Sequence, residues 1–268
     1  MVLPFKTKFG IDYLIQPFLT PQLGIFSREN IHPEKIKAFL DFLLHRFKWA
    51  QINLNKYNSE VPANWKTRKQ KIFELDLISS VHQISAKYDK TIHDQLRLAK
   101  KEDLSIMKQL TPNDFISLWK KLSGTEQKYK GEENKLRRLL SRGVHYQVCE
   151  INGVYSKFNN LIASSSFFSF RQKTTLLLTV FDQSEDFETP LIFLIHHFIK
   201  RNAGQNLTLK FELPGPGFPG MVSGNHPINK LENMEKIFGQ FGAQEFNYSS
   251  ISIRNTGILI KLLKPFLK

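Results

Sequence analysis

The residue with the clearest chemical potential closes a short strand-like run. Thr208 to Phe211 reads as a strand, and Glu212 follows it at the entrance to a Pro/Gly-rich loop. A carboxylate at such a strand end can act as a general base or anchor a substrate. It can equally be a strand-end carboxylate paired with a lysine. Pro214 to Pro227 holds four glycines and four prolines, and reads as a wall or lid. Within it Ser223, Asn225 and His226 offer a hydroxyl, an amide and an imidazole to an acceptor substrate, although the segment can also simply redirect the chain. His196 and His197 are adjacent, so on a helix they point about 100° apart and cannot form a metal pair. The sequence has no HExxH, no zinc-type Cys/His spacing, no GxSxG, no P-loop and no GxGxxG. Metallohydrolase, kinase and dehydrogenase chemistries are therefore set aside, and no metal is expected.

Glu212 is held in place by the stretch Thr174 to Gly220. TTLLLTVFD is a β-branched and aliphatic run, PLIFLIHHFIKRNAG is a strongly apolar helical segment, and LTLKFE is a second strand. Strand–helix–strand units of this kind carry ligands in the loops beyond their strands' C-terminal ends.

The bulk composition sets limits on partners and compartment. Thirty-eight Lys and Arg against 24 Asp and Glu leave a net charge of +14 on 268 residues. Such a balance favours anionic partners: nucleic acid, nucleotide-linked substrates or a membrane surface. Charges of both signs are interleaved, however: Lys87 to Arg142 holds 14 basic and 8 acidic residues. An ordinary basic, solvated surface is an equal reading. The single cysteine, Cys149, excludes a disulfide framework and reads as a buried thiol in an alternating strand. No apolar run reaches the roughly 18 residues of a membrane span, and the first residues lack a signal-type segment. The cytoplasm is the expected compartment.

In order along the chain, Leu3 to Pro17 reads as two short strands meeting at Gly10, followed by a loop around Pro21 and Gly24. The chain is thus expected to begin inside a sheet. His32-Pro33-Glu34 opens a helix whose predicted buried face is Ile36, Phe39, Leu40, Leu43, Leu44 and Phe47. WAQINLN and QKIFELDLIS read as strands, the second alternating across Ile72, Glu74, Asp76 and Ile78. Ser85 to Asp103 is predicted helical, with Asp89 as N-cap. LSIMKQL is a strand, and Thr111-Pro112-Asn113-Asp114 is a capping-box helix start. A further helix, Glu132 to Arg142, is predicted to stop at Gly143. Asn152-Gly153 is predicted as a two-residue hairpin turn. Asn160 to Phe170 and Thr174 to Asp182 form the next strand pair, followed by the unit above, a helix over 227–241, a last strand FNYSSISI and a short amphipathic tail.

From Leu104 the order strand, helix, helix, three antiparallel strands, helix, strand, helix, strand resembles the acyltransferase fold of the GNAT superfamily. Three stretches are similar to its Fem-type branch, the acyl- and aminoacyltransferases built of two GNAT-like halves. They are FLTPQLGIFS (Phe18 to Ser27), KYDKTIHDQLRLAKKEDL (Lys87 to Leu104) and FGQFGAQEFNYSSISI (Phe238 to Ile253). The resemblance implies an α+β chain with a mixed sheet: a partial first half over residues 1–86 and a GNAT-like second half over 87–268, with the tail 254–268 packing back on the first. It implies transfer of an acyl group to a small-molecule or peptide amine. The donor would be acyl-CoA or, alternatively, aminoacyl-tRNA, with tRNA then a partner.

The resemblance also nominates residues. Glu212 and Tyr248 become the catalytic pair, as base and as proton donor to a leaving group, Tyr248 being otherwise a packed strand tyrosine. Gln22 and Phe211 join Ser223, Asn225 and His226 around the substrate. Gln183, Ser184 and Thr189 fall in the loop whose backbone would hold a coenzyme A pyrophosphate at the next helix's N-terminus. Three departures bear on this. The Arg-Arg pair usual in the helix opening the second half is replaced by His93-Asp94. Only Phe211-Glu212 survives of the pattern at the fifth strand's end. Asp182 to Pro190 contains no glycine and four carboxylates. Each carboxylate within reach of a phosphate would oppose it by about 1 kcal/mol or more, whereas at a helix start the same residues are simply favourable. A ligand- or partner-binding protein of this fold that has lost catalysis is the alternative reading.

Overall fold

The computed structural model describes residues 3–17, 19–27, 29–58, 60–123, 130–181, 188–212 and 227–253. The chain forms two compact units: Met1–Ile72 with Phe246–Lys268, and Phe73–Glu245. Among the described residues no helix is long and apolar enough to cross a membrane.

In the first unit, β1 (Phe5–Lys8) and β2 (Ile11–Ile15) form an antiparallel hairpin, with Phe9 and Gly10 at φ 54° and 71° making its turn. Helix α1 (Pro33–Arg46) connects β2 to β3 (Trp49–Asn53), which lies parallel to β2. Pro33 at the first helical position loses no hydrogen bond, because that N–H has no intrahelical acceptor. Ile36, Leu40, Leu43 and Phe47 of α1 pack against Leu14, Ile52, Trp65 and Ile251. Phe39, expected on this face, is 43% exposed. At 100° per residue it sits well off the arc centred on Leu43 and Phe47. The loop after β2 is pinned by asparagines that follow β3. Asn55 and Asn58 donate to the Ile25 carbonyl, and Ile25 N–H donates to Asn58 Oδ1 at 2.8 Å. Gly24 is required there: its φ is +102°, and a Cβ would lie 2.3 Å from Asn58 Oδ1.

The chain passes to the second unit within β4 (Trp65–Asp76), a strand that starts several residues before the expected one. Its buried face in that unit is Phe73, Leu75 and Leu77, while Ile78 is exposed. The alternation thus puts Glu74 and Asp76 together on the face opposite the apolar residues. A short helix α2 (Val81–Ser85), capped reciprocally by Ser80 and Gln83, precedes α3 (Lys90–Lys101). The helix expected over Ser85 to Asp103 begins at Lys90, after a turn at Ala86–Asp89, and Asp89 caps it as expected through Thr91 N–H at 2.8 Å. After β5 (Ser105–Met107), Thr111 and Asp114 form the expected capping box of α4 (Pro112–Ser123).

Two glycine-based expectations are corrected in the next segment. Helix α5 (Lys130–His145) runs through Gly143 instead of stopping there. A Cβ at Gly143 would lie 2.6 Å from Cys149 Cβ and 2.8 Å from the Phe168 ring, so the glycine serves helix–sheet approach. Asn152-Gly153 lies inside β6 (Cys149–Tyr155), not in a turn. Asn152 is buried, and a Cβ on Gly153 would meet Leu110 at 2.4 Å and Leu161 at 2.6 Å. Packing space, and not backbone freedom, selected both glycines. The hairpin to β7 (Leu161–Phe170) turns at Ser156–Asn160, where Asn159 has φ 60°. A tight turn with Arg171 at φ 55° leads into β8 (Lys173–Phe181), as expected.

Helix α6 (Glu188–Asn202) is apolar nearly all round and almost fully buried. Strand β9 (Thr208–Phe211) lies parallel to β8 and antiparallel to β4, and α7 (Pro227–Gln240) then leads to β10 (Gln244–Ile253). Strand order in this unit is β4-β9-β8-β7-β6-β5. Its main core joins Phe73, Leu209 and Phe211 to α6 and to Met234, Ile237 and Phe238 of α7. The final part of β10 belongs to the first unit, antiparallel to β3.

Candidate functional site

The site is built where the pairing of two parallel strands ends. β8 and β9 are paired from Lys173↔Thr208 to Leu176↔Phe211. There β9 ends, whereas β8 continues, and Leu177 to Val180 are paired with β7 on one side and with no strand on the other among the described residues. These four residues, roughly 13 Å at the usual rise, present one strand edge that no described strand covers. Such an edge can hydrogen-bond an extended ligand that carries amide groups.

Glu212 stands where this pairing ends. Lys210 Nζ donates to its Oε1 at 2.9 Å, and Glu212 is 5% exposed. Residues two apart on a strand share a face, and Lys210 is directly opposite Glu74 across the antiparallel β4–β9 pair. Glu74, Lys210 and Glu212 therefore form a carboxylate–ammonium–carboxylate row on one face. Asp76 and Thr208, bonded at 2.8 Å, extend it by one pair. The opposite face is hydrophobic: Phe211 is fully buried and stacked on Phe238, with centroids 4.6 Å apart. Burying a phenylalanine of this kind contributes about 2–3 kcal/mol, which fixes the strand and hence the orientation of its neighbour Glu212.

Electrostatically, burial pushes the Glu212 carboxyl above the ordinary carboxylate range; the Lys210 charge and hydrogen bond act in the opposite sense, and the Glu74 charge reinforces the rise. A desolvated carboxylate with raised proton affinity, at the end of the strand pairing, can accept a proton from a nucleophile. The lysine-paired and general-base readings of this residue are thus compatible, since the pair leaves a second carboxylate oxygen beyond the Lys210 bond.

The other nominated residues are distributed as follows. Phe211 faces the core, not the row, so it supports the site from behind. Thr189, in the first turn of α6, is buried, and its hydroxyl donates to Gln95 Oε1 of α3. Gln22 and Tyr248 belong to the first unit. Gln22 is half-buried with its Nε2 lacking a hydrogen-bond partner among the described residues, and Tyr248 is buried on β10. Gln183, Ser184, Ser223, Asn225 and His226 lie outside the described residues.

Sequence reasoning did not single out Glu74 and Lys210 as members of the row. The signal was present in the alternation of β4, whose acidic residues fall every second position, but the pairing partner of β4 cannot be read from local pattern. Two further polar groups flank α6. Tyr88 approaches His196 Nδ1 at 3.4 Å, and burial first, then nearby cations, hold His196 down to about 4. His197 is held below the ordinary histidine range chiefly by burial, then by the charges of Lys108 and Arg201, while nearby Glu150, which accepts from Arg201 and from Asn152 Nδ2, acts in the opposite sense. The adjacent histidines thus diverge, as helical geometry requires. Cys149 is a buried thiol, pushed up to about 12 chiefly by burial.

The fold so assembled is the α+β, GNAT-like arrangement of a mixed sheet flanked by helices. No protein-family model and no curated protein matches the sequence. Solved structures do match in shape. L-PGS from Bacillus licheniformis aligns with a TM-score of 0.54 at 11% identity, covering 97% of this chain and 83% of its own. The C-terminal domain described as that of a lysylphosphatidylglycerol synthetase from Agrobacterium fabrum aligns at 0.52 and 10% identity, over 98% and 84%. FemX matches at 0.45 and 10% identity, over 98% and 86%. At such identities the likeness is one of fold.

Proposed function

We propose that this protein is an acyl- or aminoacyltransferase that delivers an acyl group to an amine, with Glu212 as proton acceptor. The end of the β8–β9 pairing beside a buried, charge-paired carboxylate is the observation that carries this reading. The donor lies along the β8 edge at Leu177–Val180, its amides paired with strand backbone. The amine attacks the donor carbonyl, a C–N bond forms, and the bond from carbonyl carbon to the thiol or ribose oxygen breaks. Glu212 takes the proton released by the amine, and that proton leaves with the departing thiol or hydroxyl. Most of the acceleration comes from positioning, supplemented by one proton acceptor.

The fold neighbour described as a lysylphosphatidylglycerol synthetase makes aminoacyl the donor class to test first. The net charge of +14 also supports an RNA-borne donor. The four carboxylates of Asp182–Glu188 weigh against a coenzyme A pyrophosphate at the start of α6. A radiolabelled transfer assay with aminoacyl-tRNA and acyl-CoA donors, over a panel of amines, tests the reading. Glu212→Gln is expected to lower transfer by about 100-fold or more, with partial recovery in Glu212→Asp. Undiminished transfer in Glu212→Gln removes the proposed base.

A second reading, a non-catalytic ligand-binding protein of this fold, is favoured by one observation: the Thr189 hydroxyl is committed to Gln95. Saturable binding of an acyl donor without turnover in any amine panel would establish it over the first.

A further inference from the structure

The outward face of α1 carries an apolar stripe that packing does not explain. At 100° per residue, Lys35, Phe39, Phe42 and Arg46 fall within about 80° of arc. This arc is separate from the buried one of Ile36, Leu40, Leu43 and Phe47. It is separate too from the flank of Glu34, Lys37 and Asp41, which lines an open groove with residues 60–64. Phe39 and Phe42 are 43% and 55% exposed. The stripe continues onto the β1–β2 hairpin. The Arg46 guanidinium lies 6.0 Å from the ring of Phe5, itself 53% exposed, and is held by Asp12 at 2.6 Å. Phe9, at the hairpin tip, is exposed as well, with Lys8 5.6 Å above its ring. Four phenylalanines interleaved with Lys8, Lys35 and Arg46 thus crowd one helix and one hairpin, a concentration beyond the scattered apolar exposure of ordinary surfaces.

Charge separates the two units sharply. The first unit holds 16 Lys and Arg against 5 Asp and Glu, a net +11, and the second 22 against 19, a net +3. Within the first, the stretch from Lys66 to Lys71 of β4 carries Lys66, Arg68, Lys69 and Lys71 with no acid, and is almost wholly exposed. The first unit therefore supplies nearly all of the molecule's positive excess, and the phenylalanine stripe lies on it.

We infer that this stripe docks the protein on an anionic phospholipid surface, with α1 lying in the plane of the interface. Phenylalanine rings enter the acyl boundary while lysines stay at the headgroups, the arrangement of an interfacial helix. Charge complementarity gives the attraction and the four phenyl rings the depth. Phenylalanine rings can also stack on bases, but Phe39 and Phe42 lie along one helix face beside Lys35 and Arg46, the pattern of an interfacial helix, which favours lipid over RNA as the occupant. The inference is independent of the transferase reading, since it uses no residue of the β8–β9 site.

Sedimentation of the full chain with phosphatidylcholine vesicles, with and without phosphatidylserine, tests it. Partition onto the phosphatidylserine vesicles is expected, weakening as salt rises. Lys35→Glu should lower that partition by roughly fivefold per unit of charge removed. Phe39→Ser with Phe42→Ser should lower it by about tenfold or more. Phe158→Ser, at a still more exposed phenylalanine of the second unit, should leave it unchanged. If the double variant fails to fold, hydrogen exchange of the natural chain on vesicles serves instead, with slowing expected across residues 35–46. Absence of phosphatidylserine-dependent partition overturns the inference. So does partition that ignores Phe39 and Phe42, that leaves exchange over 35–46 unchanged, or that single-stranded RNA abolishes while binding the double variant equally well.

Discussion

Lys210 is the residue whose removal reports most directly on the polar row. In Lys210→Met the buried Glu212 carboxylate loses the ammonium 2.9 Å away, and with it both influences that restrain its proton affinity. Removing one partner of a buried pair costs about 3–5 kcal/mol when the other stays charged. Glu212 can escape part of that by protonating. Each further unit of rise in its folded-state pKa then costs about 1.4 kcal/mol at a pH well above it. Burial already raises the folded value above the ordinary 4.5. The folded state therefore binds this proton more tightly than the unfolded state. The associated stability is fully present below about 4.5 and is lost as pH climbs through the raised value. Lys210→Met moves that upper limit further up. Urea unfolding at pH 5, 6.5 and 8 should show a variant losing about 1 kcal/mol or less at pH 5 and about 3 kcal/mol at pH 8. Adding Glu212→Gln should remove most of the pH dependence. A loss of equal size at all three pH values, or a double variant as pH-sensitive as the single one, would refute the row as described.

Phe211→Ala should cost about 3–5 kcal/mol in unfolding free energy, because its ring is fully buried against Phe238. Gly143→Ala would gain about 1 kcal/mol on an open helix. Here it should lower the unfolding midpoint instead, since the new methyl meets Cys149 and Phe168. Ellman's reagent should modify Cys149 at pH 8 only after denaturant is added, because the buried thiol holds its proton up to about 12; rapid reaction in the native state would contradict its placement.

Much of this fold is written in local pattern. The capping box of Thr111 and Asp114, the Asp89 cap and the Arg171 turn each depend on neighbours a few residues away, and each is found where its chemistry demands. Misreadings arose where a residue's reason is distant. Gly143 and Gly153 look like a stop and a turn, yet each makes room for side chains brought in by other elements. Phe39 fits a helical apolar rhythm, yet falls on a second, exposed arc. Glu212 was legible because it ends a strand. Its row with Lys210 and Glu74 was not, since strand order joins residues about 130 positions apart.

Hydrogen exchange with a bound donor probes the central proposal most directly. The protein would be compared alone and with two ligands, a stable aminoacyl-adenosine analogue and a non-transferable acyl-CoA. The account predicts that one of them slows exchange of Glu212 and of the amides within Leu177–Val180 that do not bond β7, while Lys173–Leu176, already paired with β9, changes little. Protection confined to other segments, or none within Leu177–Val180 under saturating amounts of either ligand, would contradict the assignment of this strand edge as the donor site.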